Sequence, residues 1–212
     1  MTAKKQAYRT LGETMIKNFK KRNIDAYYCD SAKDALALAM DIMKDGGVVT
    51  MGGTETVKEC GLLDAVKEAS HLTFLDRTLA QTQEERDELY RKAFFSDYYL
   101  MSSNAITIDG ELVNIDGNGN RVACLIYGPK QVLVLAGMNK VVESVDSGLE
   151  RIGTFAAPPN ATRLNLKTPC ALLGHCNDCH SEQCMCCQVV VTRHSREKGR
   201  IKVILIGEEL GF

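Results

Sequence analysis

Apolar and polar positions follow two spacings along this chain, and they divide it into helices and short strands. Tyr8, Leu11, Met15 and Phe19 follow the helical period, so residues 3–22 are predicted to form an amphipathic helix. Short apolar runs typical of buried strands come next, and segments with a helical pattern separate them. The predicted strands are 24–29, 48–51, 72–75 and 98–101, and the predicted helices between them are 32–44, 55–70 and 82–94. This β-α-β-α-β-α-β order favours an α/β fold with a mostly parallel, Rossmann-like sheet covered by helices.

The second half of the chain predicts a β-hairpin set into this α/β pattern. Strand-like runs at 105–108 and 111–115 are joined by Asp109-Gly110, a dipeptide typical of tight hairpin turns. The remaining predicted elements are a polar turn at 116–120, a strand at 131–136, a helix at 141–157 that ends at Pro158-Pro159, and strands at 188–192 and 201–206. We therefore predict one α/β domain over residues 1–212, with a hairpin insertion and a cysteine-rich loop at 168–188.

Composition and charge exclude several classes of protein. The 212 residues are 45% hydrophobic and carry 26 Lys and Arg against 27 Asp and Glu, for a net charge of −1. This balance offers no basic surface for nucleic acid. No apolar run approaches the roughly 20 residues that a membrane helix needs, and residues 1–19 lack the apolar centre of a signal peptide. We expect a cytoplasmic protein without nucleic-acid or membrane partners, in a compartment where thiols stay reduced.

The turn after the predicted strand 48–51 is one candidate ligand site. Gly52, Gly53 and Thr54 connect this strand to the next helix. Glycines allow a ligand to approach the backbone, and the free N–H groups at a helix start attract anions. A tight turn with Thr54 as the helix cap explains the same residues without a ligand. The chain has neither a Walker lysine nor a GxGxxG sequence, so the turn alone does not identify what is bound.

The predicted hairpin carries polar side chains beside apolar runs. Turn chemistry explains much of the segment from Asp116 onward, but it does not explain Asn104 and Thr107. Arg121 could pair with Asp116, or its guanidinium could bind an anionic ligand in bidentate fashion, through two N–H groups. Asn120 lies next to it and could orient such a ligand. Asp116 is the one evident acid/base candidate in this region.

Six of the nine cysteines lie within 18 residues. Cys176 and Cys179 form a CxxC, whose two thiolates suit one metal ion. Cys170 lies six residues before this pair and Cys186 seven residues after it. Four thiolates from one loop suit either structural zinc or a four-iron iron–sulfur cluster. The spacing matches neither the zinc ribbon nor the ferredoxin run, so both metals stay open.

The cysteines have alternatives to a metal site made of thiolates alone. His175 and His180 flank the CxxC and could replace thiolates as ligands. A thioredoxin-like redox pair would place the CxxC at the start of a helix, whereas the sequence predicts a loop there. Disulfides would need an oxidising compartment. Cys29, Cys60 and Cys124 lie in or near apolar segments and are predicted to be small core residues.

The glycine turn, the polar hairpin and the CxxC, in this order, resemble the LUD (lactate-utilisation) domain family in its short, stand-alone form. The resemblance covers roughly residues 5–212. The matching segments are 51–56, 104–110, 114–121, 127–130, 139–140, 168–170, 176–179 and 207–211. It implies a fold like that of the sugar-isomerase, CoA-transferase and formyltetrahydrofolate cyclo-ligase group, and the cysteine set Cys170, Cys176, Cys179 and Cys186. Cys184 and Cys187 depart from the family pattern and leave the full ligand set open.

These features lead to the hypothesis of a LUD-domain protein, related to lactate utilisation, that binds a small anionic metabolite beside a metal or an iron–sulfur cluster. The predicted ligand-binding residues are Gly52, Gly53, Thr54, Asn104, Thr107, Asn120 and Arg121, with Asp116 as the catalytic candidate. One alternative is a non-enzymatic electron-transfer or regulatory subunit. In either case the chain could form a homo-oligomer or work with an iron–sulfur partner protein. A phosphosugar-type isomerase is a further alternative, although no acid/base pair of the kind isomerisation needs is evident. The sequence leaves open whether the chain is an enzyme.

Overall fold

Helices and strands alternate along most of the chain in the computed structural model, which describes residues 2–212. The first half contains α1 (Ala3–Lys21), β1 (Asp25–Cys29), α2 (Ala32–Ile42), β2 (Gly47–Met51), α3 (Glu55–Glu59), α4 (Leu62–Glu68), β3 (Leu72–Phe74), α5 (Gln83–Lys92) and β4 (Tyr98–Met101). The second half contains β5 (Ala105–Thr107), β6 (Leu112–Asp116), α6 (Asn120–Ile126), β7 (Gln131–Gly137), β8 (Val141–Val142), α7 (Val145–Arg151), α8 (Ala157–Arg163), α9 (Pro169–Leu173), β9 (Gln188–Thr192) and β10 (Ile201–Ile206). None of the helices in this described part has the length and apolar content that crossing a membrane requires.

A six-stranded sheet with the order β1-β10-β7-β4-β2-β3 forms the centre of the molecule. Every pair of neighbouring strands in it is parallel, including β10, which enters between β1 and β7. The prediction of a mostly parallel, Rossmann-like sheet is therefore confirmed. Because all six strands run in one direction, their carboxyl ends meet at one edge of the sheet, where ligands of α/β proteins bind.

Both faces of the central sheet are buried. On β7, Val132 and Val134 point into one apolar core, and Leu133 and Leu135 point into the other. This alternation follows from the pleat of a strand, and it explains why the strand sequences are continuous apolar runs. Helices α1 and α6 cover the first core, while α2, α3 and α4 cover the second. The cysteines predicted to be core residues, Cys29, Cys60 and Cys124, are buried there.

A second, four-stranded sheet has the order β8-β5-β6-β9. The predicted hairpin is confirmed as the antiparallel pair β5–β6, and β9 extends it by pairing antiparallel with β6. Helix α7 packs closely on this sheet because Gly148 has no side chain: a Cβ there would lie 3.2 Å from the side chain of Val113. Strands β9 and β10 are consecutive in the chain, yet they belong to different sheets.

Hydroxyl side chains determine where several helices begin. The predicted cap Ser31 accepts from the Asp34 N–H at the start of α2. Thr82 and Glu85 form the predicted capping box of α5. Thr54 caps α3 through the Val57 N–H. Each hydroxyl or carboxylate satisfies a backbone N–H that the first helical turn leaves unpaired.

Two predicted helices differ from the observed ones. The helix predicted at 55–70 is interrupted between α3 and α4, where Gly61 adopts a left-handed φ of +76°. The helix predicted at 141–157 starts later, because its first residues form β8. Pro158-Pro159 does not end it, since a π-helical segment at 152–156 leads into α8 and the prolines lie in the first turn of α8. A proline is tolerated there because that turn needs no N–H donor.

Candidate functional site

A large cavity lies at the edge of the central sheet where β2, β4 and β7 end. One wall consists of residues that follow these strands: Gly53 and Thr54 after β2, Ser102 and Asn104 after β4, and Lys140 after β7. The three strands are neighbours in the sheet, so their carboxyl ends place these residues side by side. Such an edge is the usual position of a ligand site in a parallel α/β fold.

The cavity has a volume of about 770 Å³, within the usual range of small-molecule sites. Its other walls come from the turn after β6, from α8 and from the cysteine-rich loop. Five cationic side chains line it against three carboxylates: Arg77, Arg86, Arg121, Lys140 and Arg163, with Glu55, Asp116 and Glu182. The excess of positive charge favours an anionic ligand.

The structure brings most of the predicted ligand-binding residues to this one cavity. Its lining includes Gly53, Thr54, Asn104, Asp116, Asn120 and Arg121. Gly52 lies behind the wall, where a Cβ would be 2.9 Å from Tyr99 Oη and 3.0 Å from the Arg121 side chain. Thr107 is fully buried in the hairpin turn, where its hydroxyl accepts from the Glu111 N–H at 2.9 Å. Gly52 and Thr107 are therefore not part of the cavity surface.

The Arg121 guanidinium is enclosed by protein acceptors. It donates to Asn114 Oδ1 and Ile115 O at 2.6 Å each. It also donates to Asn104 Oδ1 at 2.9 Å and Ser102 O at 3.3 Å. The side chain is 12% exposed, and burial lowers its pKa. Arg121 thus ties the end of β4 to the hairpin, and an anionic ligand would have to compete with these bonds.

The Asp116 carboxylate holds the start of α6. Its Oδ1 accepts from the Gly119 N–H at 3.0 Å, and its Oδ2 accepts from the Val122 N–H at 3.1 Å. Gly119, the residue before α6, has a left-handed φ of +79° and offers no capping side chain. Both oxygens of Asp116 therefore satisfy backbone donors of the turn, which favours a positioning role over proton transfer.

Lys140 is a cavity residue that the sequence prediction missed. Its side chain is almost fully buried, and Nζ donates to Thr56 Oγ1 at 2.9 Å and to Ser102 Oγ at 3.0 Å. No carboxylate forms an ion pair with it among residues 2–212. Burial, followed by repulsion from Arg151 and Arg121, lowers the pKa of Lys140 to about 7. A buried amine of this kind is a common feature of functional sites.

Arg77 lies over an aromatic ring at the cavity. Its Cζ is 5.8 Å from the centre of the Tyr90 ring, and Nη1 donates to Tyr90 Oη at 3.4 Å. The guanidinium also lies beside the glycine turn, since a Cβ at Gly53 would be 3.2 Å from Nη2. In the described chain neither Arg77 nor Arg86 forms an ion pair with a carboxylate, so both are available to a ligand.

The cysteine-rich loop returns to the small sheet alongside the polar turn. The Cys187 N–H donates to Asp116 O at 3.0 Å where β9 begins. Gly117 allows the loop to pass closely, because a Cβ there would be 3.1 Å from Met185 Cα. As a result, Cys184 and Met185 line the cavity.

The cysteines of the loop lie near one another as free thiols. The pKa of Cys186 is raised to about 12, chiefly by burial and then by Cys184, Cys176 and Cys170 nearby. Cys179 Sγ lies 3.4 Å from Ser181 Oγ, and the Cys186 N–H donates to Cys184 Sγ at 3.4 Å. In residues 2–212, however, no three or more His, Cys, Asp or Glu side chains are arranged to hold a metal ion. The loop therefore gathers suitable donors without a ready-made coordination geometry.

Some of the cavity residues that the sequence analysis missed could have been predicted from the sequence, and others could not. Ser102 and Lys140 follow apolar strands of the parallel sheet, and a polar residue at such a position is a usable signal. Arg77 and Tyr90 belong to a polar surface segment with no distinctive pattern. Their place in the cavity depends on how α5 packs beside the glycine turn.

Comparisons with known proteins agree with this fold. Among solved structures, a DUF162 family protein from Deinococcus radiodurans is similar over 94% of this chain and 98% of its own, with a TM-score of 0.54 and 9% identity. At that identity the likeness concerns the fold alone. No protein with a curated description matches the chain. The model of the LUD domain family matches residues 12–206. This match spans nearly the whole sequence and confirms the resemblance, so the chain belongs to the LUD domain family.

Proposed function

We propose that this LUD-domain protein binds a small anionic metabolite in the cavity at the carboxyl ends of β2, β4 and β7. The supporting observation is that Arg77 and Arg86 line the cavity, beside the buried amine of Lys140, and that neither pairs with a carboxylate among residues 2–212. Unpaired cations in a concave site attract carboxylates and phosphates. The family name relates the protein to lactate utilisation, which makes hydroxy and oxo carboxylates the first ligands to test.

The expected ligand contacts are the cavity groups whose hydrogen-bonding capacity is not used by the protein. In the described residues, Asn104 Nδ2 and the side chain of Asn120 have no hydrogen-bond partner, so they can orient a bound ligand. Gly53 presents bare backbone next to Arg77. Arg121 contributes positive charge while its N–H groups hold the hairpin. The expected binding mode is therefore direct through Arg77 and the amides, and indirect through Arg121.

We propose the cysteine-rich loop as a second site, for zinc or an iron–sulfur cluster. The thiols of Cys170, Cys176 and Cys186, with Cys179 or Cys184, would hold it. The support is the soft donor set and the proximity of these thiols around Cys186. Bound zinc would fix the loop against the cavity, whereas a cluster would supply one-electron transfer there. Among residues 2–212 the thiols are not grouped in ligand geometry, so the loop would have to rearrange when it binds the metal.

Calorimetric titration with lactate, pyruvate and inorganic phosphate tests the anion site. Arg77→Gln should raise the Kd of the bound anion about tenfold, which corresponds to about 1.4 kcal/mol. Arg196→Gln is the matched control, because Arg196 is exposed and does not line the cavity. Its Kd should equal that of the wild type. If none of the three anions binds, the anion site is wrong.

Metal analysis of protein purified without oxygen tests the second site. A colourless protein with zinc and a brown protein with iron and sulfide are the two supporting results. Cys186→Ser should lose the metal, while Cys29→Ala, a change in the buried core, should keep it. Protein without metal under these conditions would overturn this site. A brown protein that binds none of the three anions would instead favour the electron-transfer or regulatory subunit.

A further inference from the structure

We infer that Lys140 is a nucleophilic amine and that the cavity binds anionic aldehydes or ketones as an imine on Lys140 Nζ. This rests on the proposed anion site and specifies the chemical class of its ligand. Lys140 lines the cavity although the residue is only 3% exposed. A lysine amine that is desolvated and still faces a ligand site is the form in which lysine reacts with carbonyl groups.

The hydrogen bonds of Nζ match a neutral amine. Its two partners are Thr56 Oγ1 and Ser102 Oγ. Each of these hydroxyls donates its own hydrogen to a backbone carbonyl. Thr56 Oγ1 donates to Leu210 O at 3.3 Å, and Ser102 Oγ donates to Ser103 O at 3.4 Å. Both hydroxyl oxygens can therefore accept the two N–H bonds of an amine. A third N–H would have no protein acceptor in the described chain, and the lone pair remains for a ligand.

The charged groups around Lys140 also disfavour the ammonium form. Arg151 on α7 and Arg121 on α6 repel a positive charge there, and burial adds to their effect. Glu59 on α3 acts in the opposite direction, but it accepts from the Gly211 N–H at 2.6 Å and does not reach Nζ. Together they bring the pKa of Lys140 to about 7, so a large share of the protein carries the free amine at neutral pH.

The reaction is balanced without any oxidant or reductant. The Nζ lone pair attacks the carbonyl carbon, and a C–N bond forms in a carbinolamine. As the C=O π bond opens, one amine proton moves to the carbonyl oxygen and gives a hydroxyl group. The C–O bond then breaks while the nitrogen lone pair forms the C=N bond, and the oxygen leaves as water with both hydrogens of the amine. Arg77 and Arg86 would hold the anionic group of the same molecule. Oxo acids are the simplest compounds that combine this carbonyl with an anion, and the cavity has room for larger ones.

Reductive trapping on the whole protein tests the imine. The protein is incubated near neutral pH with pyruvate or phenylpyruvate and sodium cyanoborohydride, and the labelled peptide is mapped by mass spectrometry. Lys140 should carry at least about tenfold more adduct than Lys130, because an ordinary lysine is almost fully protonated at that pH. Lys130 is the internal control: it is exposed, and Asp97 raises its pKa. Lactate, which lacks the carbonyl, should give no adduct and should compete with labelling at Lys140.

The outcomes separate the imine from the anion site. Lys140→Arg should abolish the adduct and weaken the binding of pyruvate in calorimetry without reductant, because the imine contributes to that binding. Should this variant fail to fold, the wild-type peptide map with lactate competition decides the question alone. Pyruvate or phenylpyruvate binding without an adduct on Lys140 would overturn the imine and leave the anion site standing. If neither pyruvate nor phenylpyruvate binds, the imine is overturned. If lactate and phosphate do not bind either, the anion site is overturned as well.

Discussion

Replacing Arg121 by Met separates the two roles that this residue can have. As a hairpin support, Arg121 contributes to folding, because its guanidinium is enclosed and 12% of its side chain is exposed. As a ligand residue alone, it would contribute to affinity and little to stability. Four acceptors lie 2.6–3.3 Å from the guanidinium nitrogens: Ser102 O, Asn104 Oδ1, Asn114 Oδ1 and Ile115 O. Two of them keep a donor without Arg121, because Asn104 Oδ1 also accepts from the Ile115 N–H and Asn114 Oδ1 from the Asn104 N–H.

The size of the effect follows from the other two acceptors. A buried acceptor left without a donor costs about 1–3 kcal/mol, so Ser102 O and Ile115 O together give a gross cost of roughly 2–6 kcal/mol. Water from the open cavity can replace part of the lost bonds, and Met retains the apolar packing of the side chain. We therefore expect Arg121→Met to lower the free energy of unfolding by about 3–5 kcal/mol, as for one partner removed from a buried charged network.

Urea unfolding followed by far-UV circular dichroism measures this difference. Arg86→Met is the matched control, because Arg86 lines the same cavity but is exposed and has no side-chain partner in the described chain. It should change the free energy of unfolding by no more than about 0.5 kcal/mol. A loss below about 1 kcal/mol for Arg121→Met would refute the role of its hydrogen bonds in holding the hairpin.

Gly52→Ala places a Cβ 2.9 Å from Tyr99 Oη and should cost about 1–3 kcal/mol in urea unfolding. Gly53→Ala, whose nearest contact is a flexible side chain at 3.2 Å, should cost clearly less, and equal costs would contradict the close packing at Gly52. Thr82→Ala removes the capping box of α5 and should lower the thermal stability by about 1 kcal/mol, whereas an unchanged midpoint would show that the cap is dispensable. The folded-state pKa of Lys140 is lowered from 10.5 to about 7, so the unfolded state binds more protons between these values and the free energy of unfolding should rise with pH there. Lys140→Met should lack that rise, and equal pH slopes for both proteins would disprove it.

Local sequence patterns were sufficient for the elements whose signal is local. The strands of the central sheet are continuous apolar runs because both of their faces are buried, and all of them were predicted. The hairpin follows from Asp109-Gly110, and the start of α5 follows from Thr82 with Glu85. In each case, residues close together in the chain form the stabilising contact.

Elements that depend on distant partners were not predictable in the same way. Val141–Val142 becomes β8 because β5 pairs with it, and β9 joins the hairpin rather than its neighbour β10. The break at Gly61 and the π-helical segment at 152–156 lie within sequences that a helix could otherwise continue. Packing against the sheets determines these strand pairings and helix interruptions.

The same division holds for the cavity. The glycine turn and the polar hairpin could be identified from the sequence, because glycines and amides between apolar runs are unusual wherever they occur. The sequence also determined the family. Only the tertiary structure decided that the Arg121 donors are satisfied by the hairpin and that Lys140 lies between two hydroxyls and two arginines. Hydrogen bonding and the pKa of a side chain depend on the groups that surround it in space, and here those groups come from five or more separate segments of the chain.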